Sequence, residues 1–461
     1  MTPARFCNKT KSVTILTLLL CILGLPPGAH AADTTIVLNS RGVAPVDLNA
    51  PLDFSEAVKV ALSHAETLRS TQIDIETSKL GEKDVWYRMF PKLVLNVGYN
   101  FPVIQNKSDG IVYKESASVS FSTGGYDPIG AYIGHDGSKV AVKLAEVLHI
   151  IAIQDMMEKI GLAFIAINAA EEEIACRNNL VSELESLEKY TAQKLDAGTI
   201  STLEHRTVQL RLDLTRLELK RTIRKQALAR RNLKQLIGVG DVDTVVFNTS
   251  KILEELTDED IQQSLRPEAL MKNNLKLQAM ALQQKLQFYN IRLAQAEHIP
   301  KFAFGFSTPD PMSNQGGNLP YYATITASVP VWSWGETMRG VERQELKLVD
   351  TKIKSKLMLK KVQQSADDLQ LFLDTSEEAV ALAKTKMELQ KLEAMRKEIG
   401  YNTNSVPYDA LIAAREAAII DKLEVIKAQQ TLNEKRLDLK AVTGRLITKH
   451  VRVNYGELEK D

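Results

Sequence analysis

Few residues in this 461-residue sequence are of types and spacings that could do chemistry. The histidines are scattered, with no His-Glu-x-x-His or comparable ligand spacing, so no metal site is expected. Cys7 and Cys21 lie in an N-terminal leader, and Cys176 stands alone on a helical stretch. Without the leader the chain has no internal disulfide and depends on packing for its stability. Gly238-Val239-Gly240-Asp241 superficially matches a phosphate loop. It ends a helical run instead of following a strand and lacks a lysine, so a helix C-cap is the better reading. Glu171-Glu172-Glu173 reads as a solvated helix face. Glu204, three residues after Ser201, completes a capping box, and Asp409 falls in a first helical turn, where an acid is stabilising. No catalytic constellation and no cofactor site emerge, so the expectation is a protein that is not an enzyme.

The elements that carry these residues begin after residue 31. Arg5, Lys9 and Lys11, the apolar run from Val13 to about Leu25, and Ala29-His30-Ala31 read as a secretory signal peptide, residues 1–31. The run is too short for a retained transmembrane anchor. Acylation at Cys21 is the other alternative, opposed by Leu20 where a small residue should stand. Lys plus Arg (58) and Asp plus Glu (57) nearly cancel without a long single-sign block, which excludes nucleic acid as a partner. With 25% charged and 6% aromatic residues, the chain reads as long helices with heptad-like character. After the leader no window is apolar enough for a transmembrane helix, so membrane contact would have to be made by strands.

An internal repeat with a period of about 206 to 209 residues organises the rest. Phe90-Pro91-Lys92-Leu93 and Ile299-Pro300-Lys301-Phe302 each open an alternating stretch, and Leu236-Ile237-Gly238 and Val442-Thr443-Gly444 each end a helical one. The expected organisation is an extended segment over 32–53, repeat 1 over 54–243, a linker over 244–265, repeat 2 over 266–446 and a tail over 447–461. Repeat 1 is expected to hold helices over Phe54–Met89, Ser138–Leu195 and from Ser201, with residues 122–138 an unassigned path. Repeat 2 is expected to hold helices over Pro267–Glu297, Glu336–Ile399 and Ser405–Val442, with Pro407 in a first helical turn. Leu210, Leu214 and Leu217 mark one stripe, while Leu212 and Leu219 mark another, as suits a helix with two neighbours. A closed helical bundle would use the same leucines.

Four alternating stretches decide the class. Leu93, Leu95, Val97, Tyr99 and Phe101 alternate with Asn96, Gly98 and Asn100; Ala117, Val119 and Phe121 alternate with serines. Phe302, Phe304 and Phe306 alternate with Ala303 and Gly305; Ala323, Ile325, Ala327 and Val329 alternate with Thr324, Thr326 and Ser328. Each stretch of about 9 to 11 residues suits a barrel wall with lipid on the apolar side, reached through Leu93, Leu95, Val97, Val119, Phe121, Phe302, Phe304, Phe306, Ile325 and Val329. Polar loops around Asn106–Gly110 and Thr308–Pro320 join the pairs, and Trp86, Tyr87, Trp332 and Trp334 suit an interfacial aromatic belt. Four strands cannot close a barrel, so oligomerisation is expected, and three copies with about 12 strands leave a passage.

Phe54-Ser55-Glu56-Ala57-Val58, Phe90-Pro91-Lys92-Leu93, Gly198-Thr199-Ile200-Ser201 and Val329-Pro330-Val331-Trp332-Ser333-Trp334-Gly335, in this duplicated order, resemble the TolC-like outer-membrane efflux proteins across nearly all of the chain. The resemblance implies a mainly α-helical membrane protein: a homotrimer with a coiled-coil-like helical barrel in the periplasm and a 12-strand transmembrane β-barrel in the outer membrane. It implies an exit duct for tripartite efflux or type I secretion that works with a periplasmic adaptor and an inner-membrane pump. It also implies docking tips at Ala197, Gly198, Thr199 and Ile200 and at Asn404, Ser405 and Val406, and a gate at Glu204, Asp409 and Tyr401. Two features depart from the family pattern, the glycine-rich exit between Gly124 and Gly137 and Asn404 in place of a glycine. The alternatives are a periplasmic adaptor, which would show one α-hairpin in a split β-domain, and a soluble coiled-coil structural protein.

Overall fold

The computed structural model describes residues 51–90, 92, 94–100, 116–123, 125–240, 246–249, 252, 273–307, 322–329, 332, 334–403 and 405–446. The leader, most of segments 32–53 and 244–265, the tail, Leu93, Asn404 and both strand-joining loops lie outside the described residues.

Helices α1 (Phe54–His64) and α2 (Glu66–Tyr87) precede strands β1 (Val94–Asn100) and β2 (Ser116–Ser122); α3 (Pro128–Asp196) and α4 (Thr202–Leu236) form the first long hairpin. Then come α5 (Leu275–Ala296), β3 (Lys301–Ser307), β4 (Tyr322–Ser328), α6 (Glu336–Asn402) and α7 (Tyr408–Val442). At 69 and 67 residues, α3 and α6 are each about 100 Å long at 1.5 Å per residue.

Local chemistry accounts for the boundaries. Asp53 and Glu56 close a capping box on α1, as Ser201 and Glu204 do on α4. The expected single helix over Phe54–Met89 is instead two, because Ala65 leaves the helical region at ψ 118°. The break has a packing cause. The carbonyl of His64 lies against Gly238, just past the end of α4, so close that a Cβ on that glycine would sit 2.5 Å from the oxygen. In the second half Asn274 caps α5 from the same backbone region, and a Cβ on Gly444 would sit 2.6 Å from the carbonyl oxygen of Asn273.

The first long helix begins at Pro128, ten residues before the expected start. Asp127 accepts a hydrogen bond from the Gly130 amide at 2.7 Å, and Pro128 fills the first turn, where its missing N–H costs nothing. The glycines after it are helical because they are spacers: Gly134 faces Val85 on α2, and Gly137 faces Tyr289 on α5. At the second tip α6 runs on to Asn402, and α7 opens at Tyr408 with Pro407 as its N-cap, not within its first turn.

The helices form one layer. Toward the sheet the principal contacts run α2 to α3 to α5 to α6; toward the tips they run α4 to α3 to α7 to α6. The main core lies midway, where α1, α3 and the last turns of α4 and α7 converge around Phe54, Phe164 and Phe247, whose rings stack edge-on. Away from it α6 buries only Val362, Ala366, Val380 and Ala383 within the chain. A closed bundle would bury a stripe along the whole helix. On α4, Leu212 is 5% exposed against α3, whereas Leu210, Leu214 and Leu217 are 53%, 60% and 63% exposed. The stripe of Leu210, Leu214 and Leu217 has no neighbour that covers it among the described residues.

Gly238→Ala therefore combines a left-handed backbone (φ +76°) with a collision, while Gly240→Ala (φ +67°) meets open space. Thermal unfolding is expected to show a loss of about 1 to 2 kcal/mol for Gly240→Ala and about 2 to 4 for Gly238→Ala. Equal losses would contradict the packing of Gly238 on the helix break.

Candidate membrane face and hairpin tips

The sheet stands at one end of α3 and the hairpin tips at the other. All three strand pairings are antiparallel, in the order β1-β2-β3-β4. Directly paired residues share a face, so the register decides whether the four alternations agree. Leu95 pairs with Phe121, Phe121 with Phe306 and Phe306 with Ala323; Val97 pairs with Val119, Phe304 with Ile325 and Phe302 with Ala327. The opposite face joins Asn96 to Ser120, Ser122 to Gly305, Gly305 to Thr324 and Ala303 to Thr326. One face is thus continuously apolar and the other, apart from Val94 opposite Ser122, small or polar; there Asn96 donates to the Ser122 hydroxyl at 3.2 Å. Each strand is seven residues long, shorter than expected, and the loop-side residues beyond lie outside the described residues. Among the described residues β1 and β4 are both edges.

At the helix side of the sheet, Trp86, Tyr87, Trp332 and Trp334 are all exposed, the last two at 75% and 80%. The rings of Trp332 and Trp334 meet edge-on at 5.8 Å. Trp334 (φ 53°) and Gly335 (φ 77°) are both left-handed, making the sharp turn from β4 into α6, and Arg339 donates to the Trp334 carbonyl at 3.0 Å. Val329, just past β4, is exposed.

The first tip is a Schellman cap: Thr199 N–H donates to the Lys194 carbonyl and Gly198 N–H to the Leu195 carbonyl, both at 2.9 Å. Ala197, Gly198 and Thr199 are exposed, and Ile200 is half-buried. The second tip lacks a glycine there and closes on Gly400, whose carbonyl accepts the amides of Ser405 (2.8 Å) and Val406 (3.2 Å). A Cβ at 400 would be 2.5 Å from Val406 Cγ2, so any larger residue there would have to displace the valine side chain.

Glu204 performs the capping role read from sequence, its Oε2 accepting the Ser201 amide at 3.0 Å. Asp409 is exposed in the first turn of α7. Tyr401 packs on Tyr408 at 5.5 Å, and Tyr408 on Tyr190 of α3 at 4.3 Å. Lys194 lies over Tyr190, 4.6 Å from its centroid. The Tyr190 hydroxyl, then the charges of Asp409 and Glu204, hold the Lys194 ammonium above its ordinary pKa. Burial, then the Glu183 carboxylate, pushes the Tyr408 phenol up. Arg415 on α7 reaches both oxygens of Glu183 on α3 at 3.3 and 3.2 Å and Glu398 on α6 at 3.2 Å. The three candidate residues thus sit among Tyr190, Lys194, Tyr408, Arg415 and Glu183, which the sequence analysis did not single out. The available signal was tyrosines on both arms of the tips in an aromatic-poor sequence.

Among the described residues no group of three or more His, Cys, Asp or Glu could hold a metal ion, and no helix is long and apolar enough to cross a membrane. Glu204→Gln separates cap from charge, because glutamine also completes a capping box. Hydrogen exchange over the first turn of α4 is expected to be unchanged in Glu204→Gln and faster in Ser201→Ala, by about 1 kcal/mol of protection. Equal loss in both would show that the cap depends on the charge.

No family model matches the sequence, and no curated protein matches it. Solved structures do match. A membrane protein from Pseudomonas aeruginosa superposes with a TM-score of 0.72 at 15% identity, over 87% of this chain and 91% of that one. The CmeC outer membrane channel of Campylobacter jejuni gives 0.71 at 14% identity, over 85% of each chain. The open state of the MtrE outer membrane channel of Neisseria gonorrhoeae gives 0.69 at 14% identity, over 85% and 88%. At such identities the likeness is one of architecture, and the chain has the fold of the TolC-like outer-membrane channels.

Proposed function

We propose that the protein is a passive exit duct of the outer membrane, serving a tripartite efflux or type I secretion system. The observation that carries this is the sheet: four strands in register with one apolar and one polar face, and an unpaired edge on each side. In hydrocarbon those edges must be paired, because no water is there to satisfy the backbone. Three copies close about 12 strands into a barrel wide enough to leave a passage. The open helix layer argues the same way, since the exposed stripes of α4 and α6 lie on its two sides and a cyclic arrangement brings them together.

In this reading Leu95, Val97, Val119, Phe121, Phe302, Phe304, Phe306, Ile325 and Val329 face lipid, and the tryptophans and Tyr87 lie at the interface. The helical part extends into the periplasm, and the leader, residues 1–31, directs export. The tips at 197–200 and 405–406 dock a periplasmic adaptor that couples the duct to an inner-membrane pump. Glu204 and Asp409 form the acidic constriction, Tyr401 acts through its stack on Tyr408, and Arg415 with Glu183 and Glu398 holds the hairpins together. The two halves derive from one unit, as their common element order and the paired glycines at 238 and 444 suggest. A periplasmic adaptor is the poorer reading, because both strand pairs join one sheet and each half has its own α-hairpin.

Purified in detergent, the protein is expected to have the mass of a trimer and to give discrete conductance steps in a planar bilayer. Cation selectivity is expected to fall in Asp409→Asn and Glu204→Gln, which remove charge from the constriction. A chain that stays monomeric and soluble without detergent, and conducts nothing, would overturn the duct.

A further inference from the structure

The unpartnered faces of α4 and α6 carry opposite charge in corresponding places. Between Leu219 and Leu236, α4 has several Lys and Arg residues and no acid. Between Val362 and Ala383, α6 has several Asp and Glu residues and no base. No block of consecutive like charge marks either stretch, so neither stands out in the sequence. Some of these charges are used inside the chain, as where Arg230 meets Glu171 at 2.8 Å and Arg436 meets Glu377 at 3.0 Å. Among the described residues Arg221, Arg224 and Arg231 have no ion pair: they are exposed on the side of α4 opposite Leu212, Thr215, Thr222 and Leu233, which are buried. Asp367, Asp374 and Glu378 are likewise exposed on α6, away from Val362, Ala366 and Val380.

The chain contains its own template for joining such faces. Inside it, the first hairpin meets the second through the antiparallel pair α3 and α7, where Glu183 opposes Arg415 and Tyr190 opposes Tyr408. The same 206-residue offset relates the end of α3 (Asp196) to the end of α6 (Asn402) and the start of α4 (Thr202) to the start of α7 (Tyr408). Moving the α3–α7 register by that offset onto α6 and α4 sets Arg224 opposite Asp374, Arg231 opposite Asp367, and Arg221 beside Glu378. It also sets Leu210 and Leu217 beside Leu389 and Leu382, all four of which are exposed.

We propose that α4 of one copy binds antiparallel to α6 of the next in the register of the internal α3–α7 pair. Leucines nearer the tips supply the contact, and a ladder of Arg221, Arg224 and Arg231 on Glu378, Asp374 and Asp367 fixes its alignment. This deepens the trimer reading and rests on it. Exposed ion pairs add little affinity singly, so the ladder sets register and excludes slipped pairings. A slip by one heptad would bring leucines against charge.

Two experiments on the full-length protein in detergent test the proposal. In the first, Arg224→Cys and Asp374→Cys in one chain are oxidised, with Arg224→Cys and Asp367→Cys, about 10 Å out of register, as the control. The first pair is expected to give covalent dimers and trimers on a non-reducing gel, and the control little of either. In the second, Arg221, Arg224 and Arg231 are changed together to Glu, or Glu378, Asp374 and Asp367 together to Lys. Each set is expected to weaken assembly about tenfold or more at low salt, and less at high salt, through like-charge contact. Both sets in one chain are expected to restore assembly, which distinguishes the ladder from a folding defect. A wild-type trimer by mass that cross-links equally at the control pair, or is not restored by the double exchange, overturns this register and leaves the trimer standing. A wild-type monomer by mass overturns both.

Discussion

The backbone of an open sheet edge has one requirement that no side chain can meet: its N–H and C=O groups need partners. β1 and β4 each present such an edge while the sheet carries a continuous apolar face. In water the apolar face is the liability, and in lipid the edges are. Closure of the sheet by further copies, in a bilayer, removes both at once. The helical layer shares this incompleteness, since the principal contacts of the 67-residue α6, with α5 and α7, lie along one side of it.

The sheet's faces were legible from residues alone because alternation with period two is a local signal, and glycine and proline punctuate it. The long hairpins and the capping box at Ser201 and Glu204 were legible because their signals are local too. The break at Ala65 was not, because its cause is a contact between His64 and Gly238 made across the fold. Gly130, Gly134 and Gly137 read as an irregular path. They are helical, because the Asp127 cap packs on Gly130 and the close approach of α2 and α5 to α3 at Gly134 and Gly137 outweighs their poor propensity.

At the tips sequence placed Glu204, Asp409 and Tyr401 without their surroundings. Glu183 and Arg415 lie far apart in the chain and meet only because two hairpins pack side by side. The tips also differ in construction. One ends in a Schellman cap at Gly198, whereas the other folds onto the carbonyl of Gly400. Between tips and sheet α3 is well buried within one chain, whereas α6 buries only Val362, Ala366, Val380 and Ala383.

The central claim is that one face of the sheet meets lipid and the other meets water. Single cysteines placed alternately along β2 and β3, at Val119, Ser120, Phe121, Phe304 and Gly305, can carry a fluorophore in reconstituted vesicles, read with a lipid-borne and an aqueous quencher. The account predicts lipid quenching at Val119, Phe121 and Phe304 and aqueous quenching at Ser120 and Gly305. Aqueous quenching at all five, or no alternation between neighbours, would contradict it.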